Sequence, residues 1–202
     1  MKILKSLQTA FLLSAMLAVG FSAEAQSSTA KVTKLEFGDG SVFRGMSANG
    51  LWATAYGVNA GTSVYSYPKL INVQTGEVTE LFTSDESEIG DEGVANDVSN
   101  DGSIVVGNYG GKPAYYKVAD KTWTTLPMLL SCTGGTVRGI TGDGKYAVGT
   151  MGATLYQEIP AMWDLQTGTR ITLTNMPKVD LSGTYQDMCR PESISDDGRY
   201  IV

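Results

Sequence analysis

Residues 140–146 read Ile-Thr-Gly-Asp-Gly-Lys-Tyr, and this stretch indicates the fold because it recurs three times without gaps. The other copies are Met-Ser-Ala-Asn-Gly-Leu-Trp at 46–52, Val-Ser-Asn-Asp-Gly-Ser-Ile at 98–104 and Ile-Ser-Asp-Asp-Gly-Arg-Tyr at 194–200. Asn-Gly or Asp-Gly between apolar residues predicts a tight hairpin turn in which both central residues have positive φ. The preceding Ser or Thr hydroxyl can bond the backbone of the same turn.

A second unit of nine residues begins with Pro and follows the first three copies. It reads Pro-Lys-Leu-Ile-Asn-Val-Gln-Thr-Gly at 68–76, Pro-Ala-Tyr-Tyr-Lys-Val-Ala-Asp-Lys at 113–121 and Pro-Ala-Met-Trp-Asp-Leu-Gln-Thr-Gly at 160–168. Each unit leads into one more short strand, predicted at 77–82, 122–126 and 170–174. The turn glycines at 50, 102, 144 and 198 are 52, 42 and 54 residues apart. Four short strands at this period are typical of propeller blades.

The predicted fold is therefore all-β, a β-propeller of four-stranded antiparallel blades. Its repeats are expected at about 41–92, 93–134, 135–190 and 191–202, the last incomplete, after an N-terminal segment at 26–40. A β-sandwich with accidental similarity is the alternative, which two motifs in register across three repeats disfavour. Residues 199–202 read as the middle of a strand. The sequence is interpreted as a fragment of about three blades plus the start of a fourth, or as a chain that closes by association.

The N-terminus has the pattern of a secretory signal peptide at 1–25. Lys2 and Lys5 are followed by an apolar stretch at 10–20 and by Ala-Glu-Ala at 23–25, in the order that export signals show. The alternative is that this apolar stretch forms a buried core helix at the start of the chain. Cleavage would start the mature chain at Gln26 and predicts a secreted protein, whether extracellular, periplasmic or on the cell surface. No later apolar run is long enough to span a membrane.

Composition excludes several classes of function. The chain has no His, so it cannot build a Ser-His-Asp triad, a Cys-His pair or an imidazole-ligated zinc site. A formal net charge of −6 argues against a nucleic-acid partner, since such proteins carry a basic patch. No cofactor is expected.

Several stretches resemble a known family of extracellular repeats. Residues 126–135 and 139–149, together with 161–168, are similar to the HAF-type extracellular repeat of the β-propeller repeat proteins. No His-Ala-Phe triplet occurs in this chain. Trp163-Asp164 is also similar to the dipeptide of WD40 repeats, without their Gly-His signature, so the blades resemble degenerate WD40-like or kelch-like ones. The resemblance implies a secreted propeller and says little about activity.

The alternation of strands predicts two unlike ends for every blade. Turns such as Asp143-Gly144 and Thr167-Gly168 are short and alike, whereas the other connections, among them 108–112, 150–159 and 127–137, are expected to be longer and varied. Varied loops carry function more often than uniform turns. Tyr and Arg are common in recognition surfaces, and the binding-face candidates at this end are Arg44, Arg138, Arg190, Tyr65, Tyr109, Tyr156 and Tyr185. Each of them could equally be an ordinary surface residue.

Two further groups of side chains carry predictions. Five carboxylates fall within eight residues, and they are Asp85, Glu86, Glu88, Asp91 and Glu92. They are weak candidates for a calcium site, and a solvated acidic loop is the alternative. Export would permit a disulfide between Cys132 and Cys189, and two buried thiols are the alternative.

These observations favour a module that binds a protein or a glycan without turnover. The alternative is a carboxylate-dependent glycan-active enzyme, which would need a pair of acidic residues. No spacing in the sequence assigns catalytic residues to it.

Overall fold

The computed structural model of the chain describes residues 41–58, 66–81, 93–154, 157–173 and 190–202. Within these ranges, twelve β-strands form three antiparallel sheets of four strands each. The all-β prediction is confirmed. The predicted signal peptide and the segment at 26–40 lie outside the described residues.

Each sheet is a meander in which every strand pairs with the next one along the chain. Sheet 1 consists of β1 (Ser41–Met46), β2 (Trp52–Val58), β3 (Ser66–Asn72) and β4 (Val78–Glu80). Sheet 2 consists of β5 (Gly93–Val98), β6 (Ile104–Tyr109), β7 (Lys112–Lys117) and β8 (Thr122–Thr125). Sheet 3 consists of β9 (Gly134–Ile140), β10 (Tyr146–Thr154), β11 (Gln157–Asp164) and β12 (Thr169–Ile171). The fourth repeat, residues 190–202, contributes an antiparallel bridge between Ile194 and Ile201.

The recurring seven-residue motif closes the turn after the first strand of each repeat. In sheet 3 the Thr141 hydroxyl donates to the Asp143 carboxylate at 2.6 Å and accepts the N–H of Tyr146 at 3.0 Å. The N–H of Lys145 donates to the same carboxylate at 3.0 Å. These two hydrogen bonds lower the pKa of Asp143. The same network recurs at 47–52, 99–104 and 195–200.

The conformation of these turns differs from the prediction at one position. The four motif glycines have φ between +71° and +73°. Among the described residues, the only other residue type with a positive φ is a lysine, Lys121, which lies outside the motifs. The Asp or Asn before each glycine therefore keeps an ordinary φ, and the prediction of two positive values is wrong. The loop between the hydrogen-bonded residues Thr141 and Tyr146 holds four residues rather than two, so only its glycine needs the left-handed conformation. The side chain before that glycine serves as a hydrogen-bond acceptor instead.

The hydrophobic core lies between successive sheets. Sheet 1 packs on sheet 2, sheet 2 on sheet 3, and sheet 3 on the fourth repeat. Three clusters make these contacts, and they bring together Leu70 with Val105, Val106 with Trp163, and Val148 with Ile194. Apolar burial between neighbouring repeats is what stabilises such a stack, because one sheet alone cannot cover its own faces.

Two of the connections expected to be long are short. β6 and β7 are joined by Gly110 and Gly111 alone, and β10 continues to Thr154 before β11 begins at Gln157. The prediction of varied loops at 108–112 and 150–159 is therefore wrong, since the strands go on pairing almost to their ends. The connection between sheets 2 and 3 is the longer kind, as expected, and covers residues 126–133.

Candidate binding surface

The sheets have two ends, which we call the turn end and the loop end. The turn end carries the motif turns at 47–51, 99–103 and 141–145. The loop end carries the turn at 110–111 and the connection at 126–133. Strand order and antiparallel pairing place all motif turns at one end, as the sequence predicts.

The connection at 126–133 is held in place by its buried residues. Leu126 and Cys132 belong to the core between sheets 2 and 3, and Met128 and Leu129 pack against it. The indole N–H of Trp163 donates to the carbonyl of Pro127 at 2.9 Å. A segment with buried residues at both ends presents its remaining side chains in a fixed position.

Leu130 lies at the tip of this connection and is fully exposed, with a relative accessibility of 108%. A turn formed by the N–H of Cys132 and the carbonyl of Leu129, 2.9 Å apart, directs the tip outward. The N–H of Thr133 then binds the carbonyl of Gly152 at 3.0 Å, which fixes the connection against the end of β10. The loop end therefore presents an apolar side chain on an ordered base.

An ion pair also lies at the loop end. Glu158, near the start of β11, forms a salt bridge with Arg190 just before the fourth repeat. Glu158 is also opposite Gly152 in the pairing of β10 with β11, and Gly152 accepts the hydrogen bond from Thr133. The Arg190 side chain is 44% exposed. Of the predicted binding-face residues, Arg190 is placed at the loop end.

Tyr109 is also at the loop end, but it supports the core. Its ring stacks on Trp123 with centroids 5.9 Å apart and planes 5° from parallel. It packs against the cluster between sheets 1 and 2. We therefore expect truncation of Tyr109 to lower stability, which corrects the idea that it serves recognition alone. Tyr65, Tyr156 and Tyr185 lie outside the described residues.

Arg44 and Arg138 do not belong to the loop end, contrary to the prediction. Each is the bulged residue of its strand, at the point where the pairing of β1 with β2, or of β9 with β10, shifts in register. Each also lies two residues before its strand ends at the motif turn. Arg44 lies over the ring of Tyr56 at 4.8 Å. Arg138 pairs with Glu192 of the fourth repeat at 3.2 Å. Their place two residues before each motif already puts them nearer the turn end than the loop end.

The other predicted sites are only partly covered by the described residues. The five acidic residues proposed for calcium, at 85–92, lie outside them. Within the described ranges, no three His, Cys, Asp or Glu side chains come together as a metal site would require. Cys132 is buried, while Cys189 lies outside the described residues, so their pairing stays a prediction.

A carboxylate near the turn end joins two neighbouring sheets. Asp97 of β5 accepts the N–H of Val98 at 2.9 Å and, across the sheet boundary, the N–H of Ile140 in β9 at 3.0 Å. Burial raises the pKa of Asp97 to about 6 although these N–H groups act to lower it, and the charge of Asp196 raises it further. This carboxylate therefore titrates well above an ordinary Asp.

Lowering the pH from about 6 to about 4 is expected to raise the free energy of unfolding through Asp97. The folded chain binds the proton near pH 6, whereas the unfolded chain does so near about 3.9. The folded state then holds more protons in this window, so the contribution grows as the pH falls and is lost as the pH rises through 6. Urea unfolding of the wild type and of Asp97→Asn at several pH values gives two curves of unfolding free energy against pH. The gap between the two curves is expected to change by at most about 3 kcal/mol over this window. Parallel curves would contradict the assignment of the raised pKa to Asp97.

No protein-family model matches the chain, and no curated protein matches it significantly. Among solved structures, the chain is similar to a TolB candidate from Agrobacterium tumefaciens, with a TM-score of 0.55 and 14% identity. That match covers 81% of this chain, which spans only 57% of the length of that structure. An oligogalacturonate lyase from Vibrio parahaemolyticus matches with a TM-score of 0.44 and 14% identity, over 63% of this chain and 37% of the lyase. This second similarity is too weak to support a fold assignment.

Sheet topology and the first of these similarities together define the class of the fold. Three successive four-stranded meanders stacked on one another are the blades of a β-propeller, and the Agrobacterium protein is a β-propeller. The predicted fold class is thereby confirmed. At 14% identity the similarity shows the fold alone. The HAF-type resemblance is tested by none of these comparisons and stays a prediction.

Proposed function

We propose that the protein is an exported binding module that recognises a protein or a glycan through the loop end of its propeller blades, without turnover. The observation that carries this proposal is Leu130, an entirely exposed apolar side chain on a connection whose flanking residues are buried. The loop end thus presents an exposed apolar side chain and a charged pair, the two kinds of group that recognition surfaces combine. Glu158 and Arg190 supply that pair.

The chemistry of the turn end supports assigning recognition to the other end. Asp101, Asp143 and Asp197 are engaged by hydroxyl and backbone donors inside their own turns. A carboxylate held in this way stabilises the turn and is not free to act as an acid or a base. The turn end therefore favours a structural role.

Export is part of the proposal, and it is supported by the sequence pattern at 1–25. In the part of the chain that the structure describes, no helix has the length and hydropathy needed to cross a membrane. N-terminal sequencing of the protein recovered outside the cytoplasm tests this part. A new terminus at Gln26 is expected, and an intact Met1 in all of the protein would contradict it.

A paired binding and turnover assay tests the central part. The purified chain is labelled and applied to arrays of immobilised glycans and extracellular proteins, and each ligand found is incubated with the chain to measure released reducing ends. We expect binding without release, and a loss of at least tenfold in affinity for Leu130→Asp, since the variant places an unpaired charge in an apolar contact. Leu51→Asp is the matched control, because Leu51 is an exposed leucine at the turn end. Release of reducing ends would instead support the glycan-active enzyme.

A further inference from the structure

The first motif turn differs from the three later ones in the residue before its glycine. The chain has one Asn-Gly pair, at Asn49 and Gly50, whereas the later motifs have Asp at positions 101, 143 and 197. Asn49 is exposed. An asparagine followed by glycine is chemically reactive, because glycine has no Cβ to shield its backbone nitrogen from the asparagine side chain. The first motif therefore carries a reaction that the others cannot undergo.

The turn holds Asn49 through hydrogen bonds that an aspartate would accept equally well. The Ser47 hydroxyl donates to Asn49 Oδ1 at 2.8 Å, and the N–H of Leu51 donates to the same atom at 3.1 Å. Asp143 accepts the two equivalent donors in sheet 3. An aspartate at position 49 would therefore keep the turn itself.

A further hydrogen bond requires the amide of Asn49 and joins sheet 1 to sheet 2. Its Nδ2 donates to the backbone carbonyl of Asn100 at 2.7 Å, beside a bond of 3.0 Å from its backbone N–H to Asn100 Oδ1. A carboxylate has no N–H to donate to that carbonyl. Loss of the amide would place one oxygen against another, so it removes a tie between the two sheets and adds repulsion in its place.

We propose that Asn49 is a site of spontaneous deamidation whose rate is set by the contact between sheets 1 and 2. The backbone nitrogen of Gly50 gives its proton to a solvent base and attacks Cγ of Asn49. The new N–Cγ bond closes a succinimide ring, the Cγ–Nδ2 bond breaks, and Nδ2 leaves as ammonia with that proton. Water then opens the ring, at Cγ to give aspartate or at the backbone carbonyl carbon to give isoaspartate. Water is the co-reactant, and no electrons are exchanged.

The folded turn engages the atoms that react. The N–H of Gly50, the attacking group, donates to the Ser47 carbonyl at 2.8 Å. Nδ2 of Asn49, the leaving group, is bound to the Asn100 carbonyl. Deamidation therefore requires these bonds to open first, and it is slow as long as the two sheets stay in contact. The aspartate product cannot remake the bond to Asn100, so the change acts in one direction.

Peptide mapping by mass spectrometry tests the proposal. The purified chain is kept at mildly alkaline pH, either folded or in urea, and the aspartate and isoaspartate formed at position 49 are measured over time. We expect the folded chain to react more slowly by about tenfold or more, because the bonds of Gly50 and Asn49 must break first. Equal rates in the two states, or no modification of Asn49 in urea, would overturn the proposal.

A pair of serine variants connects the rate to the turn. Ser47→Ala removes a donor to Asn49 Oδ1 and is expected to speed the reaction in the folded chain several-fold. Ser195→Ala is the matched control, because its hydroxyl makes the same two bonds in the fourth motif, to Asp197 and Tyr200. The control should leave the rate at position 49 unchanged, and circular dichroism checks that both variants fold. A Ser47→Ala chain that reacts no faster than the control would contradict the proposal.

The variant Asn49→Asp reproduces the aspartate product and measures what the modification does. We expect it to lower the melting temperature by a few degrees, because repulsion replaces the tie to the Asn100 carbonyl. Asn72→Asp is the matched control, since Asn72 Oδ1 accepts two backbone N–H groups of its own turn, as Asp164 does in sheet 3. The control adds the same charge to the same sheet and is expected to melt close to the wild type. Equal losses in the two variants would overturn the role assigned to the Asn49 amide.

Discussion

Replacing Trp163 by Ala is expected to lower the free energy of unfolding by about 3–5 kcal/mol. Trp163 is fully buried between sheets 2 and 3 and packs with Val106 and Leu126. Its indole N–H also binds the Pro127 carbonyl at 2.9 Å. The substitution removes a large apolar side chain and leaves that carbonyl without its donor. Urea unfolding followed by circular dichroism measures the loss.

Trp163→Phe is the matched control, because it keeps an aromatic ring in the core and removes only the N–H and part of the volume. We expect it to cost about half as much as the Ala variant or less. A Trp163→Ala chain within about 1 kcal/mol of the wild type would contradict the placement of this residue in the core. It would instead fit an exposed aromatic platform.

Replacing Gly102 by Val is expected to cost about 2–6 kcal/mol, from two causes that act together. The φ of Gly102 is +73°, and a side chain in this region carries strain of about 1–3 kcal/mol. A Cβ at this position would lie 2.3 Å from the Trp52 ring. Pushing that ring aside costs a further amount of about 1–3 kcal/mol.

Gly76→Val separates these two causes. Gly76 has a φ of +74° but no atom within 4 Å of its Cβ position, so the variant carries the strain without the steric clash. The difference between the two unfolding free energies reports the packing of Trp52 on the turn of the next sheet. Equal costs would show that neighbouring sheets do not pack through the motif glycines.

The sequence predicted those features that depend on residues close together in the chain. The turn at Asp143-Gly144 is predicted from seven residues of sequence. Three four-stranded meanders followed from two motifs in register. Local hydrogen bonds and apolar alternation fix such features, so they can be read without knowing the rest of the fold.

Contacts between distant residues could not be predicted in this way. Arg138 and Glu192 are 54 residues apart, and their pairing depends on how the fourth repeat packs on sheet 3. The hydrogen bond from the Ile140 N–H to Asp97 likewise depends on how two sheets pack, because these residues are 43 positions apart. Leu130 was missed because it directly follows Leu129, and two adjacent leucines do not reveal which of them is exposed.

One experiment compares the turn end and the loop end of the blades directly. Leu130→Ala and Asp143→Ala are each measured for melting temperature and for affinity toward the ligand found on the arrays. Leu130→Ala is predicted to weaken binding at least tenfold at an unchanged melting temperature. Asp143→Ala is predicted to leave binding unchanged and to lower stability by about 1–2 kcal/mol, because the Thr141 hydroxyl and the Lys145 N–H lose their acceptor. The reverse result, with Asp143→Ala losing affinity at full stability and Leu130→Ala binding normally, would contradict the assignment of recognition to the loop end.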